Sequence, residues 1–167
     1  MGENQDSTVE LMYEALIRRA IVVAREGIAA GQSPFGAVVA TMSGKVVIAA
    51  HNMVRANCEV TAHAEIMAIR RACAELNTID LTGHLIATTC EPCPMCAAAI
   101  HWARLGTVLY GAAIADAQAA GFNELALPVA ALYPQGGSPV RVHAGILREE
   151  CVALFEIWKR GPHPAPY

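Results

Sequence analysis

Thr61-Ala62-His63-Ala64-Glu65 and Cys90-Glu91-Pro92-Cys93-Pro94-Met95-Cys96 are the two stretches that decide how this chain is read. One imidazole and two thiolates fill three positions of a zinc tetrahedron and leave the fourth open, so His63, Cys93 and Cys96 form a candidate ligand set. Glu65 lies two residues past the histidine, outside that set, and its carboxylate is free to move protons. Both stretches read as helix starts. Thr61 is a natural N-cap, which places His63 and Glu65 in a first turn. Pro92 suits the opening of a helix, which places Cys93 and Cys96 on one face at i and i+3. The positive end of a helix dipole favours thiolate over thiol there.

Outward from these stretches, helical and extended patterns alternate. Ser7-Thr8-Val9-Glu10 reads as a capping box ahead of a helix over Thr8–Ala30. Met12, Leu16, Ala20 and Val23 form its apolar stripe, widened by Ile17, Ile21, Ala24 and Ile28, and Gly31 stops it. Pro34-Phe35-Gly36 opens an apolar run, Ala37–Met42. Ser43-Gly44 turns it into a second run, Val46–Ala50, a hairpin signal. The helix after Thr61 carries Ile66, Ile69, Cys73 and Leu76 on its predicted buried face. His84–Thr89 and Thr107–Gly111 read as strands. Asp116–Leu132 reads as short helix and loop, Gln135–Pro139 as a turn, and Val140–His143 as a fifth strand. Leu147, Cys151, Leu154, Phe155 and Trp158 mark a last helix that Gly161 ends. A hairpin followed by crossovers predicts an α/β fold, a mixed sheet covered by helices.

Bulk properties narrow the class. At 167 residues the chain is expected to form one domain, residues 1–167. Apolar residues make up 54% and charged residues 16%, which excludes disorder and suggests apolar surface buried between subunits. No run approaches the about 18 apolar residues of a membrane span. The net charge of −3 lacks the basic excess of a nucleic-acid binder. A polar, acidic start over Met1–Asp6 is unlike a signal peptide. Six cysteines, three of them in one cluster, fit a reducing compartment, so a cytoplasmic location is expected.

Plainer readings exist for each piece. Cys93-Pro94-Met95-Cys96 alone also fits a redox pair. A closed structural zinc site would need a fourth ligand, which Cys90 could supply. Either would make the chain a zinc-binding or redox interaction protein. Cys73 and Cys151 fall on apolar helical faces and read as core. His84, His101, His143 and His163 read as packed or surface residues. What carries weight is the joint pattern: His-x-Glu, then Pro-Cys-x-x-Cys.

With Pro34-Phe35-Gly36-Ala37-Val38-Val39 ahead of them, these motifs resemble the cytidine deaminase-like superfamily over nearly the whole chain. Its guanine deaminase and tRNA adenosine deaminase branches are the most similar. The resemblance implies a three-layer α/β/α fold around a five-stranded mixed sheet, one Zn2+ per chain, a homodimer, and hydrolytic deamination of a small nucleobase. Several residues resemble the guanine branch: Trp102-Ala103-Arg104, and Asp116 to Glu124 with its Gly121-Phe122-Asn123-Glu124 ending. The resemblance makes Glu124 a second catalytic acid beside Glu65. It assigns substrate contacts to Asn52, Asp116 and Tyr167, and makes 161–167 a C-terminal lid; Phe35 and Trp102 are the candidate rings to pack on the base, and Ala64 is a further candidate contact. Glu59-Val60 departs from the Asp-Pro common in both branches, and Asn123 replaces an Asp. Gly145 to Cys151 is closer to the tRNA enzymes, so tRNA adenosine deamination is the alternative, followed by cytosine, nucleoside or triazine deamination.

Overall fold

The computed structural model describes residues 3–161 and Pro166, with side chains from Ser7 onward. Five strands form one sheet in the order β2-β1-β3-β4-β5: β1 (Gly36–Thr41), β2 (Val46–His51), β3 (His84–Cys90), β4 (Thr107–Ala112) and β5 (Arg141–His143). β1 runs antiparallel to β2 and β3, while β3, β4 and β5 are parallel. The hairpin and the two parallel pairs match the expectation of a mixed five-stranded sheet.

The three layers follow from strand alternation. Val38 and Ala40 of β1, Leu85 and Ala87 of β3, and Leu109 of β4 face one core with α1 (Glu3–Ala29) and α7 (Arg148–Lys159). Ala37, Val39, Ile86 and Val108 face the other, against α3 (Ala64–Leu76), α4 (Pro94–Trp102) and α6 (Val129–Gln135). The central strands are therefore buried on both sides, which is why they read as unbroken apolar runs. Gly36 marks the tightest approach of β1 to α1: a Cβ there would run into the backbone of Ala20 and Ala24.

Several boundaries and faces differ from the sequence reading. The first helix begins before Ser7, so Ser7 lies inside it and the predicted capping box does not start it. A short helix α2 (Val54–Asn57) interrupts what reads as a polar loop. On α3 the buried stripe is Ala64, Ala68 and Ala72, not Ile66, Ile69, Cys73 and Leu76. Small side chains let the helix lie close to the sheet, and the larger residues flank it, with Leu76 exposed. Asp116–Leu132 resolves into α5 (Ile114–Ala120), an irregular segment, and the start of α6, which runs on to Gln135 with Pro134 inside it.

Candidate active site

The starts of α3 and α4 converge beyond the end of β3. His63 and Cys93 are the N-caps of these helices and share nearly the same extended backbone, φ −62°, ψ 157° and φ −63°, ψ 165°. The predicted cap Thr61 and the predicted helix opener Pro92 each sit two residues too early, since His63 is the cap of α3 and Pro94 opens α4. Pro94 takes the first helical position, where a missing N–H costs nothing. Because an N-cap residue leaves the helical path, its side chain projects off the helix end, and here the two ends aim at each other.

The Nδ1 atom of His63 lies 3.7 Å from Cys93 Sγ and 3.6 Å from Cys96 Sγ. A tetrahedral zinc with bonds of about 2.0 Å to nitrogen and 2.3 Å to sulfur requires N···S spacings of about 3.6 Å. The donor set therefore fits zinc in both chemistry and spacing. Among the described residues, His63, Cys93 and Cys96 are the cluster with ligand atoms close enough for a metal, all within 4.8 Å of one another. Cys90 lies outside it, with its thiol directed at the Ala113 carbonyl. None of the six cysteines is in a disulfide.

Glu65, at the second position of α3, is only 7% exposed. Burial pushes its carboxyl up to about 7, against the pull of the neighbouring His63. At His63 burial works downward, but the hydrogen bond with Cys93 and the charges of Glu65 and Cys93 outweigh it, and the imidazole is held above its usual value. The hydrogen bond between the cysteines pulls Cys93 down and holds Cys96 up. A bound cation favours thiolate at both.

Phe35, His63, Glu65, Cys90, Glu91, Cys93 and Glu124 line one narrow cavity of about 20 Å³. Glu124 reaches it from the irregular segment between α5 and α6. Burial and the Cys93 thiolate raise its carboxyl above the usual range. A larger cavity, about 740 Å³, opens between α1 and β5, but it holds none of the ligand cluster.

The remaining predicted contacts fall in several places. Phe35 stands at the cavity wall and packs edge-on against Phe122 and Phe155, with ring centroids 4.9 and 6.0 Å apart. Ala64 is buried at the first position of α3, where a helix N–H has no partner within the helix. Asn52 is fully buried beside Phe35, donating its backbone N–H to the Phe35 carbonyl and accepting from Val54 N–H at its side-chain oxygen.

Two of the expected contact residues lie apart from the cavity lining within the single chain. Trp102 ends α4, about 9 Å along the helix from Cys96 and about 13 Å from Cys93, and is 79% exposed beside His101, Leu132 and Tyr133 rather than over the cavity. Asp116 is engaged elsewhere: it accepts from the Ala113 N–H and pairs with Arg148. Tyr167 lies outside the described residues, although Pro166 sits near Gly121, 3.7 Å from where a Cβ on that glycine would be. Sequence reasoning missed Glu91, a buried acid whose only signal is its place between Cys90 and Pro92.

Residues 12–112 match the family described as the cytidine and deoxycytidylate deaminase zinc-binding region. The chain belongs to this zinc-binding deaminase family. With its ligand triad and buried glutamate, it is a zinc-dependent hydrolytic deaminase. Within the deaminases it is 43% identical to the guanine deaminase of Bacillus subtilis over 67% of this chain and 72% of that one. It is 32% identical to the tRNA-specific adenosine deaminase of the same organism over 88% of both chains. The solved guanine deaminase of Nitrosomonas europaea superposes with a TM-score of 0.81 at 31% identity, covering 87% of this chain and 83% of that one.

Proposed function

We propose that this chain converts guanine and water to xanthine and ammonia. The observation that carries the reading is the pair of carboxyls, Glu65 and Glu124, lining one cavity with the His63 and Cys93 ligand atoms. The similarity to two guanine deaminases supports it.

His63, Cys93 and Cys96 would hold the zinc ion, which would supply Lewis-acid activation of water. Glu65 takes a proton from the attacking water as the water oxygen bonds to the amine-bearing ring carbon of guanine. It delivers the proton to the adjacent ring nitrogen. The carbon–amine bond then breaks, and the second water proton leaves with the amine as ammonia. Glu124, on the other wall, divides this proton traffic with Glu65, and the Phe35 ring packs on the base. In this reading Asn52 and the N–H of Ala64 bind the remaining polar edge of the base.

The same reading makes residues 1–167 one catalytic domain, working as a homodimer in the cytoplasm. The exposed Trp102, with Ala98 and His101 along α4, gives a second copy an apolar face to cover. No helix among the described residues is long and apolar enough to cross a membrane. Residues 161–167 act as a lid, supported by the position of Pro166 beside the α5 end.

Ammonia release from guanine, adenine, cytosine, their nucleosides, a triazine and a tRNA anticodon stem-loop tests the substrate, alongside zinc content. Guanine is expected to react fastest. Release from the anticodon adenosine but not from guanine establishes the second reading, favoured by the fuller coverage of the tRNA-specific relative. Light scattering tests the dimer; a monomer at micromolar concentration overturns it.

A further inference from the structure

We propose that Glu91 is a positioning residue that fixes the Glu124 segment over the metal-ligand cluster. Its backbone continues the pairing of β3 with β4, donating its N–H to the Ala112 carbonyl at 2.8 Å. Its side chain turns inward, 6% exposed. One carboxylate oxygen accepts from the N–H of Ile114 at 3.1 Å and the other from the N–H of Val129 at 3.0 Å. Those two amides open α5 and α6 and bracket the stretch that carries Glu124.

The connection continues to Glu124 itself. From α5, the side-chain amide of Gln118 donates to the Glu124 backbone carbonyl at 3.3 Å. Phe122 packs against Phe35 and Trp158, with ring centroids 4.9 and 4.8 Å away. Glu91 is two residues from Cys93 in the chain. One side chain thus ties the start of α5 and the start of α6, on either side of the irregular segment, to the strand end from which the cysteine ligands spring. A carboxylate suits this task because it offers acceptors at both oxygens. A glutamine offers one acceptor and turns an NH2 group against the other N–H, and an aspartate is too short to span both.

The proposal rests on the reading of Glu124 as an active carboxyl, and the experiment separates the two. Glu91→Gln and Val129→Pro are compared with the intact protein. Val129→Pro removes one tether and leaves the carboxylate in place. Pro128 already has the extended backbone, φ −68° and ψ 150°, that a following proline requires, and the first helical position tolerates proline. Both variants are expected to retain zinc. Amide exchange is expected to quicken across 114–129 and stay unchanged in α3. With guanine, kcat falls by about 10²-fold, the cost of a slightly misplaced reacting group, while KM moves little.

The decisive arm places each variant in a Glu124→Gln background. If Glu91 works through Glu124, its further effect on kcat there is less than about twofold, since coupled residues do not add. Full additivity, or unchanged exchange across 114–129 in both variants, overturns the proposal. If Glu91→Gln does not fold, Val129→Pro carries the same arms. If Glu124→Gln alone leaves kcat unchanged, the reading of Glu124 fails, and amide exchange still decides whether Glu91 holds the segment. If guanine releases no ammonia, the substrate reading fails, and the exchange arm stands by itself.

Discussion

Glu65 is the second residue of a helix laid close against the sheet, whereas Glu124 hangs from an irregular segment between two short helices. The α3–α4 wall holds two ligands on helix caps and the third, Cys96, in the first turn of α4, with Ala64, Ala68, Ala97 and Ile100 buried beneath them. The opposite wall is held by hydrogen bonds to Glu91 and by the Phe122 ring. Regular elements fix geometry more tightly than loops do, so the first wall suits the metal and its proton carrier, which tolerate little displacement. The second suits contacts that differ from one substrate to another.

This contrast predicts a graded response to substitution. The largest effect is expected at the ligands: Cys93→Ala or Cys96→Ala loses zinc and turnover together, while Cys90→Ala keeps the metal. Metal analysis checks it, and full zinc retention in the first two variants removes the ligand assignment. Next comes Glu65→Gln, which keeps zinc and fold but loses about 10²–10⁴-fold in kcat; near-normal steady-state turnover rules Glu65 out as the proton carrier. Glu124→Gln belongs lower, at about 10²-fold, the low end for a general acid or base. A loss as large as that of Glu65→Gln erases the distinction between the two walls. The smallest effect is expected from deleting 161–167, which lowers kcat on guanine while zinc content and melting temperature hold. An unchanged rate shows that these residues do not close the site.

The same contrast explains what was legible in the sequence. His63, Glu65, Cys93 and Cys96 lie in two short motifs whose spacing alone implies a metal and a base. The helix starts were displaced because capping preferences favour Thr61, while the caps are the ligands themselves, His63 and Cys93. The α3 face was misread because hydropathy rewards large residues and the close contact selects alanines. Trp102 and Asp116 were assigned by resemblance to a segment pattern. In space the first sits at the far end of α4, and the second is bound by Arg148. Glu91 escaped notice because its partners are backbone amides 23 and 38 residues away, and no local pattern encodes them.

His63 and Cys93 stand 30 residues apart in the chain, at the heads of two helices joined through β3, which pairs with β1 and β4. A metal joining them is therefore also a cross-link. By the loop-entropy arithmetic used for disulfides, closing a loop of that length disfavours the unfolded chain by roughly 3–4 kcal/mol, a large share of the stability of an ordinary domain. Chelation should then lower the melting temperature as well as stop turnover. Preparations low in metal would fail first by unfolding on warming, so thermal shelf life becomes a sensitive gauge of how fully the protein is loaded.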